Sequence, residues 1–107
     1  MMIPKNKPIR MQKLRDSAKD APCMINSPIC NSDPETSVLA HYRSHITNAG
    51  ASLKPDDTAA AIACSDCHDW LDDRSTLYKS NKKDKDFFWM RGILRTFRYW
   101  VDEGILK

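Results

Sequence analysis

The sequence predicts a small α+β domain in which a cysteine knuckle, a β-hairpin and a helix converge on one site, with an additional C-terminal amphipathic helix. Three observations carry that reading. The cysteines come in two pairs, Cys23 with Cys30 and Cys64 with Cys67, set far apart in the chain. Between the pairs lie two short apolar runs, Thr36 to Tyr42 and Ala59 to Ala63, joined by a stretch with Asn48, Gly50 and Pro55, which is loop chemistry between two strands. After the second pair, Asp86 to Glu103 repeats apolar residues with a helical period.

The cysteines set the first requirement. A chain of 107 residues, 41% of them hydrophobic, sits near the size at which an apolar core alone gives modest stability, so a staple would help it. No stretch is long or apolar enough for a membrane span or a secretory core segment, and Met1 to Arg15 is polar and basic. The expectation is a reducing compartment and no membrane partner. Four thiols there favour metal over disulfides, whereas an oxidising compartment would allow three pairings. In Cys64-Ser-Asp-Cys67 a tight turn can aim two thiolates at one zinc ion. Cys23 and Cys30 are spaced more widely, but a Pro-containing turn brings them back towards each other and closes the count at four. Cys23, Cys30, Cys64 and Cys67 are therefore predicted to hold a structural Zn²⁺ between the knuckle and the start of the following helix.

Residues 1–12 form a basic arm with Pro4 and Pro8 and no hydrophobic period, expected to be flexible, and 13–107 form one zinc-stabilised domain. The net charge of +3 is mild and unevenly distributed, with Lys5, Lys7, Arg10, Lys13 and Arg15 preceding the first acidic residue, Asp16. Such an arm suits phosphate contacts and also serves as a solubilising tail. Met11 to Ala21 offers one or two helical turns that Pro22 ends. His41 falls at or near the end of the first strand. From His68 to Tyr78 there is no Gly or Pro, which predicts a short helix on which His68 and Asp72 share a face turned away from the sulfurs. In the last helix Phe87, Met90, Leu94, Phe97 and Val101 form one stripe, widened by Trp89, Ile93 and Trp100 and expected in the core. Gly104 stops it. Arg91, Arg95 and Arg98 form a second stripe, either a solvated face or a nucleic-acid contact.

Cys30-Asn, Pro34-Glu-Thr-Ser-Val-Leu-Ala-His41 and Ile62-Ala-Cys64-Ser-Asp-Cys67-His68-Asp resemble the YbcO family of nucleases carried by lambdoid prophages, and more broadly the HNH-type His-Me finger nucleases built on a treble-clef zinc fold. The likeness runs from about Lys13 onward. It implies a metal-dependent endonuclease that hydrolyses DNA phosphodiester bonds in phage recombination or replication, on branched intermediates among others, in the cytoplasm of a bacterial host. By position His41 would be the general base that activates water, and His68 with Asp72 would hold a catalytic Mg²⁺ or Mn²⁺, or another divalent ion, that stabilises the leaving group. Arg43 would touch the scissile phosphate, with Arg91, Arg95 and Arg98 as further DNA contacts. Two positions depart from the pattern. Ala40 stands where an acidic or His ligand precedes the base, and Ala59 where an asparagine usually lies, leaving Asp56, Asp57, Asp69 or His45 to substitute. The other reading is a zinc-stabilised nucleic-acid or protein adaptor that has kept the fold and lost the chemistry. The aromatic C-terminal helix also offers a surface for pairing two copies as a homodimer.

Overall fold

The computed structural model describes residues 9–42, 56–72 and 82–106. Helix α1 spans Gln12–Ser17, a 3-10 turn spans Pro34–Thr36, strands β1 and β2 span Val38–His41 and Ala60–Ala63, and helices α2 and α3 span Ser65–Leu71 and Lys82–Asp102. This is the predicted α+β class, with a two-stranded sheet. Its strands run antiparallel, pairing Val38 with Ala63, Leu39 with Ile62, Ala40 with Ala61 and His41 with Ala60. The Tyr42 amide, donating to the Ala59 carbonyl at 2.9 Å, continues the ladder past the strand end.

All four residues of β2 are buried, which accounts for their size. Against one face lies α3, so close that a Cβ on Gly92 would come within 2.3 Å of the Ile25 Cδ1 and 3.1 Å of the Ala61 Cβ. Only alanine on the strand and glycine on the helix leave room for this approach. The free edge of β2 is covered as well, because the Ile62 amide donates to Thr96 Oγ1 at 2.9 Å and its carbonyl accepts from the Met24 amide at 2.8 Å. No backbone group at Ile62 is left to pair with another chain.

The alternation of β1 divides the core. Ala40 faces Cys64, Cys67, Trp70, Leu71 and Trp89, with Tyr42 packed beside them. Leu39 faces Ala18, Ala21 and Ile62. On the first side Phe88 meets Trp70 edge-on, with ring centroids 5.2 Å apart. On the second, Trp100 Nε1 donates to Ser17 Oγ at 2.7 Å and fixes the end of α3 to α1. Beyond it Gly104, at φ 74°, closes the helix as predicted, the Ile105 amide returning to the Trp100 carbonyl at 2.8 Å.

Four details depart from expectation. Helix α2 begins three residues before His68, because Cys64 is its N-cap, and it ends at Leu71 with Asp72 as C-cap. Residues 73–78 of the predicted helix lie outside the described residues. Thr36 is part of the 3-10 turn and not of β1. Ile9 and Met11 are not a free arm: their amides donate to Asp56 Oδ1 and Asp57 Oδ2, each at 2.7 Å, and the Asp57 amide returns to the Ile9 carbonyl at 2.8 Å. The largest departure is the stripe on α3. Phe87, Met90, Leu94, Phe97 and Val101 are 46–62% exposed, while Trp89, Gly92, Thr96 and Trp100 face the core. The close approach of β2 selects small residues at the centre of the buried face, so the more hydrophobic face is left outside.

Candidate functional site

The two cysteine pairs meet. The Sγ atoms of Cys23, Cys30, Cys64 and Cys67 all lie within 4.8 Å of one another, and among the described residues this is the one group of three or more side chains able to ligate a metal together. The Cys30 and Cys64 sulfurs are 3.8 Å apart. A tetrahedral ion with zinc–sulfur bonds of about 2.3 Å sets its sulfurs about 3.8 Å apart, so the donor set fits zinc in both chemistry and spacing.

Local backbone chemistry produces this convergence. Asn26 takes φ 52°, a conformation asparagine tolerates well, and bends the knuckle. The Cys30 amide donates to the Ser27 carbonyl at 3.0 Å and closes the turn. At the other half-site the Cys67 amide points at Cys64 Sγ, 3.4 Å away. Ser27 Oγ lies 3.1 Å from Cys67 Sγ and supports it from outside the cluster. The thiols share protons: the hydrogen bond with Cys67 is the main cause holding Cys23 down at about 4, against burial. Cys67 moves upward because it keeps that proton and is buried, and burial raises Cys30 too. A divalent cation would take the place of those protons.

His41 lies on the other face of the sheet, the one Leu39 shares. Its Nε2 is 2.8 Å from Oδ1 of Asp57, whose side chain is fully buried. The second Asp57 oxygen receives the Met11 amide and has the Arg15 Nε 3.3 Å away. Burial pushes the Asp57 carboxyl upward, but the His41 and Met11 hydrogen bonds and the nearby positive charges outweigh it and hold the group below its usual 3.8. An ionised carboxylate only accepts, so Nε2 of His41 carries the proton and Nδ1 is its basic atom. His41, 24% exposed, lines a cleft of about 430 Å³ with Gln12, Arg15, Asp16, Lys19 and Ser37.

His68 and Asp72 do share a face of α2, with Nε2 and Oδ2 3.0 Å apart and both side chains partly exposed. That separation is the length of an ordinary hydrogen bond between the two side chains. The structure does not bring this pair and His41 together. Ala40 packs towards α2, whereas Leu39 and His41 turn towards α1. Arg91 donates to the carbonyls of Ile25 and Asn26 at 2.8 and 3.2 Å, so its guanidinium braces the knuckle. Arg95 is exposed, and Arg98 is joined to Asp102 at 3.1 Å on the outer face of α3. Arg43 and His45 lie outside the described residues. Of the residues offered in place of Ala40 and Ala59, Asp57 is the one bonded to His41, and Asp56 instead receives the Ile9 amide. Arg15 and Ser27 carried no signal in the sequence beyond a basic segment and a turn, since both owe their places to long-range contacts.

The fold and the cysteine cluster define a small α+β domain with four cysteines placed to bind one metal ion. More narrowly, the chain belongs to the YbcO family, whose model, described as "Putative nuclease YbcO", matches residues 12–105. The "Putative nuclease YbcO" of Escherichia coli (strain K12) is 39% identical over 99 residues, covering 91% of this chain and 99% of that protein. The protein of the same name from Enterobacteria phage 82 matches with the same identity and coverage. A solved structure, described as that of a putative bacteriophage protein from Escherichia coli K-12 MG1655, superposes with a TM-score of 0.70 at 36% identity, covering 86% of this chain and all of that one. Among the described residues no helix is long and apolar enough to cross a membrane.

Proposed function

We propose that this chain is an endonuclease of HNH type, hydrolysing DNA phosphodiester bonds in phage or prophage recombination or replication, with branched intermediates among its substrates. The observation that carries the proposal is the buried Asp57 carboxylate on Nε2 of His41 at the mouth of a cleft that also holds Arg15 and Lys19. The names of the relatives, which call them nucleases, support the same reaction class. Nδ1 of His41 takes the proton from the attacking water, and Asp57 fixes the ring and stabilises the imidazolium that results. Arg15 and Lys19, with Arg43 and the exposed Arg95 and Arg98, contact the DNA backbone. The cysteines hold the scaffold through zinc and take no part in the chemistry.

His68 and Asp72 would hold Mg²⁺ or Mn²⁺, which supplies positive charge for phosphate oxygens. With α2 and His41 on opposite faces of the sheet, an ion held by this pair would not reach the leaving group at the phosphate His41 attacks, the role the resemblance implied for it. That separation also favours a second reading, a zinc-stabilised DNA- or protein-binding adaptor without catalysis. One experiment decides between them: supercoiled and branched DNA are incubated with wild type, His41→Ala and His68→Ala in Mg²⁺ or Mn²⁺, with binding measured in parallel. Nicking by wild type that His41→Ala loses while still binding DNA supports the enzyme. Equal background nicking by wild type and His41→Ala, with binding intact, leaves the adaptor.

A further inference from the structure

Helix α3 has two apolar faces, and among the described residues only one of them is buried. Trp89, Gly92, Thr96 and Trp100 point into the domain. On the opposite side Phe87, Met90, Leu94, Phe97 and Val101 are each about half exposed. Their spacing alternates three and four residues without a break, which is the heptad seam that fits a second helix lying nearly parallel to the first. A scattered set of surface apolar residues has no such register. The seam runs straight, and Arg91, Arg95 and Arg98 flank it on one side together with Asp84 and Asp102. That arrangement keeps the seam's edge soluble while leaving its centre uncharged.

The size of the face matches a pairing of like with like. Half-exposed side chains of this kind present roughly 100 Å² each, or about 500 Å² for the five, already near the largest apolar patch a typical monomer shows. Two copies meeting through the seam would remove about 1,000 Å² from water, the size at which specific interfaces begin to hold.

We infer that α3 is the interface of a homodimer, in which the seams of two copies pack against each other about a two-fold axis. The sheet, the zinc cluster and the cleft at His41 all lie on the far side of α3 or beyond it, so dimerisation leaves both clefts open. A two-fold pair would present two His41 sites on one particle.

Sedimentation equilibrium of the zinc-loaded full chain tests this. Wild type is expected at twice the 12.3 kDa chain mass in the micromolar range. Leu94→Lys and Phe97→Lys, singly and together, are expected to sediment as monomers with unchanged zinc content and circular dichroism, because neither side chain supports the fold. A wild type that stays monomeric at 100 micromolar, or variants that remain dimeric, would overturn the inference.

Discussion

Asp57 is asked to serve both the fold and the site. Its carboxylate gathers the Met11 amide, His41 and Arg15 at one buried point, so Asp57→Ala leaves several donors without a partner and is expected to lower stability by about 2–4 kcal/mol in urea unfolding. Asp57→Asn keeps the volume and separates the two roles: DNA nicking should fall at least tenfold while DNA binding stays within about twofold, since the amide cannot hold the imidazolium. Its acid behaviour follows from the sign of the shift. The folded carboxyl titrates below its ordinary 3.8, so its stabilisation is complete above that value and disappears as the pH falls through the lower folded one. Acid also releases zinc from the thiolates, so the measurement is the difference between wild type and Asp57→Asn. Their urea midpoints should differ clearly at about pH 6 and converge as the pH falls below the ordinary carboxyl value of 3.8.

At the scale of elements, α3 is held against the sheet by what it lacks. Gly92→Leu would drive a side chain into Ile25 and Ala61, where even a Cβ is too close, and is expected to cost 3 kcal/mol or more or to prevent folding. Thr96→Val keeps the shape but removes the acceptor for the Ile62 amide; a loss of about 1–3 kcal/mol is expected in thermal melts, with zinc content unchanged. The same helix marks where the sequence could and could not be read. The helical period of 86–103 was plain, and so was the glycine that ends it. Which face turns inward was not, because hydrophobicity favours the Phe87 to Val101 stripe, whereas the partner is a strand of alanines that admits only glycine and threonine at closest approach. Cys64-Ser-Asp-Cys67 was legible for the opposite reason: its chemistry is local and needs no partner to be recognised. His41 stood at a strand end as expected, but the side of the sheet it faces depends on the pairing register with β2, and the carboxylate bonded to it, that of Asp57, lies 16 positions further along the chain.

Across the whole molecule the four cysteines, placed to bind one metal ion, join segments that share little else. Cys23 and Cys30 belong to an irregular knuckle, held besides by Arg91 and by the Met24 amide on β2. Stripping the metal with a strong chelator is expected to lower the midpoint of the melt by roughly 15 °C or more, with recovery on adding Zn²⁺. Cys67→Ser, which removes a buried ligand, should resemble the chelated protein. An unchanged midpoint after verified loss of the metal would count against the staple.

The hydrogen bond from Trp100 to Ser17 spans 83 positions of the chain, and this has a bearing on synthesis. During translation α1 leaves the ribosome long before the residue that fixes it has been made, and β2 waits likewise for Thr96 to cover its edge. The thiols are therefore presented early, on a chain that has no finished interior. Released chains truncated before residue 96 should stay open to proteases, and those extending past residue 105 should be resistant.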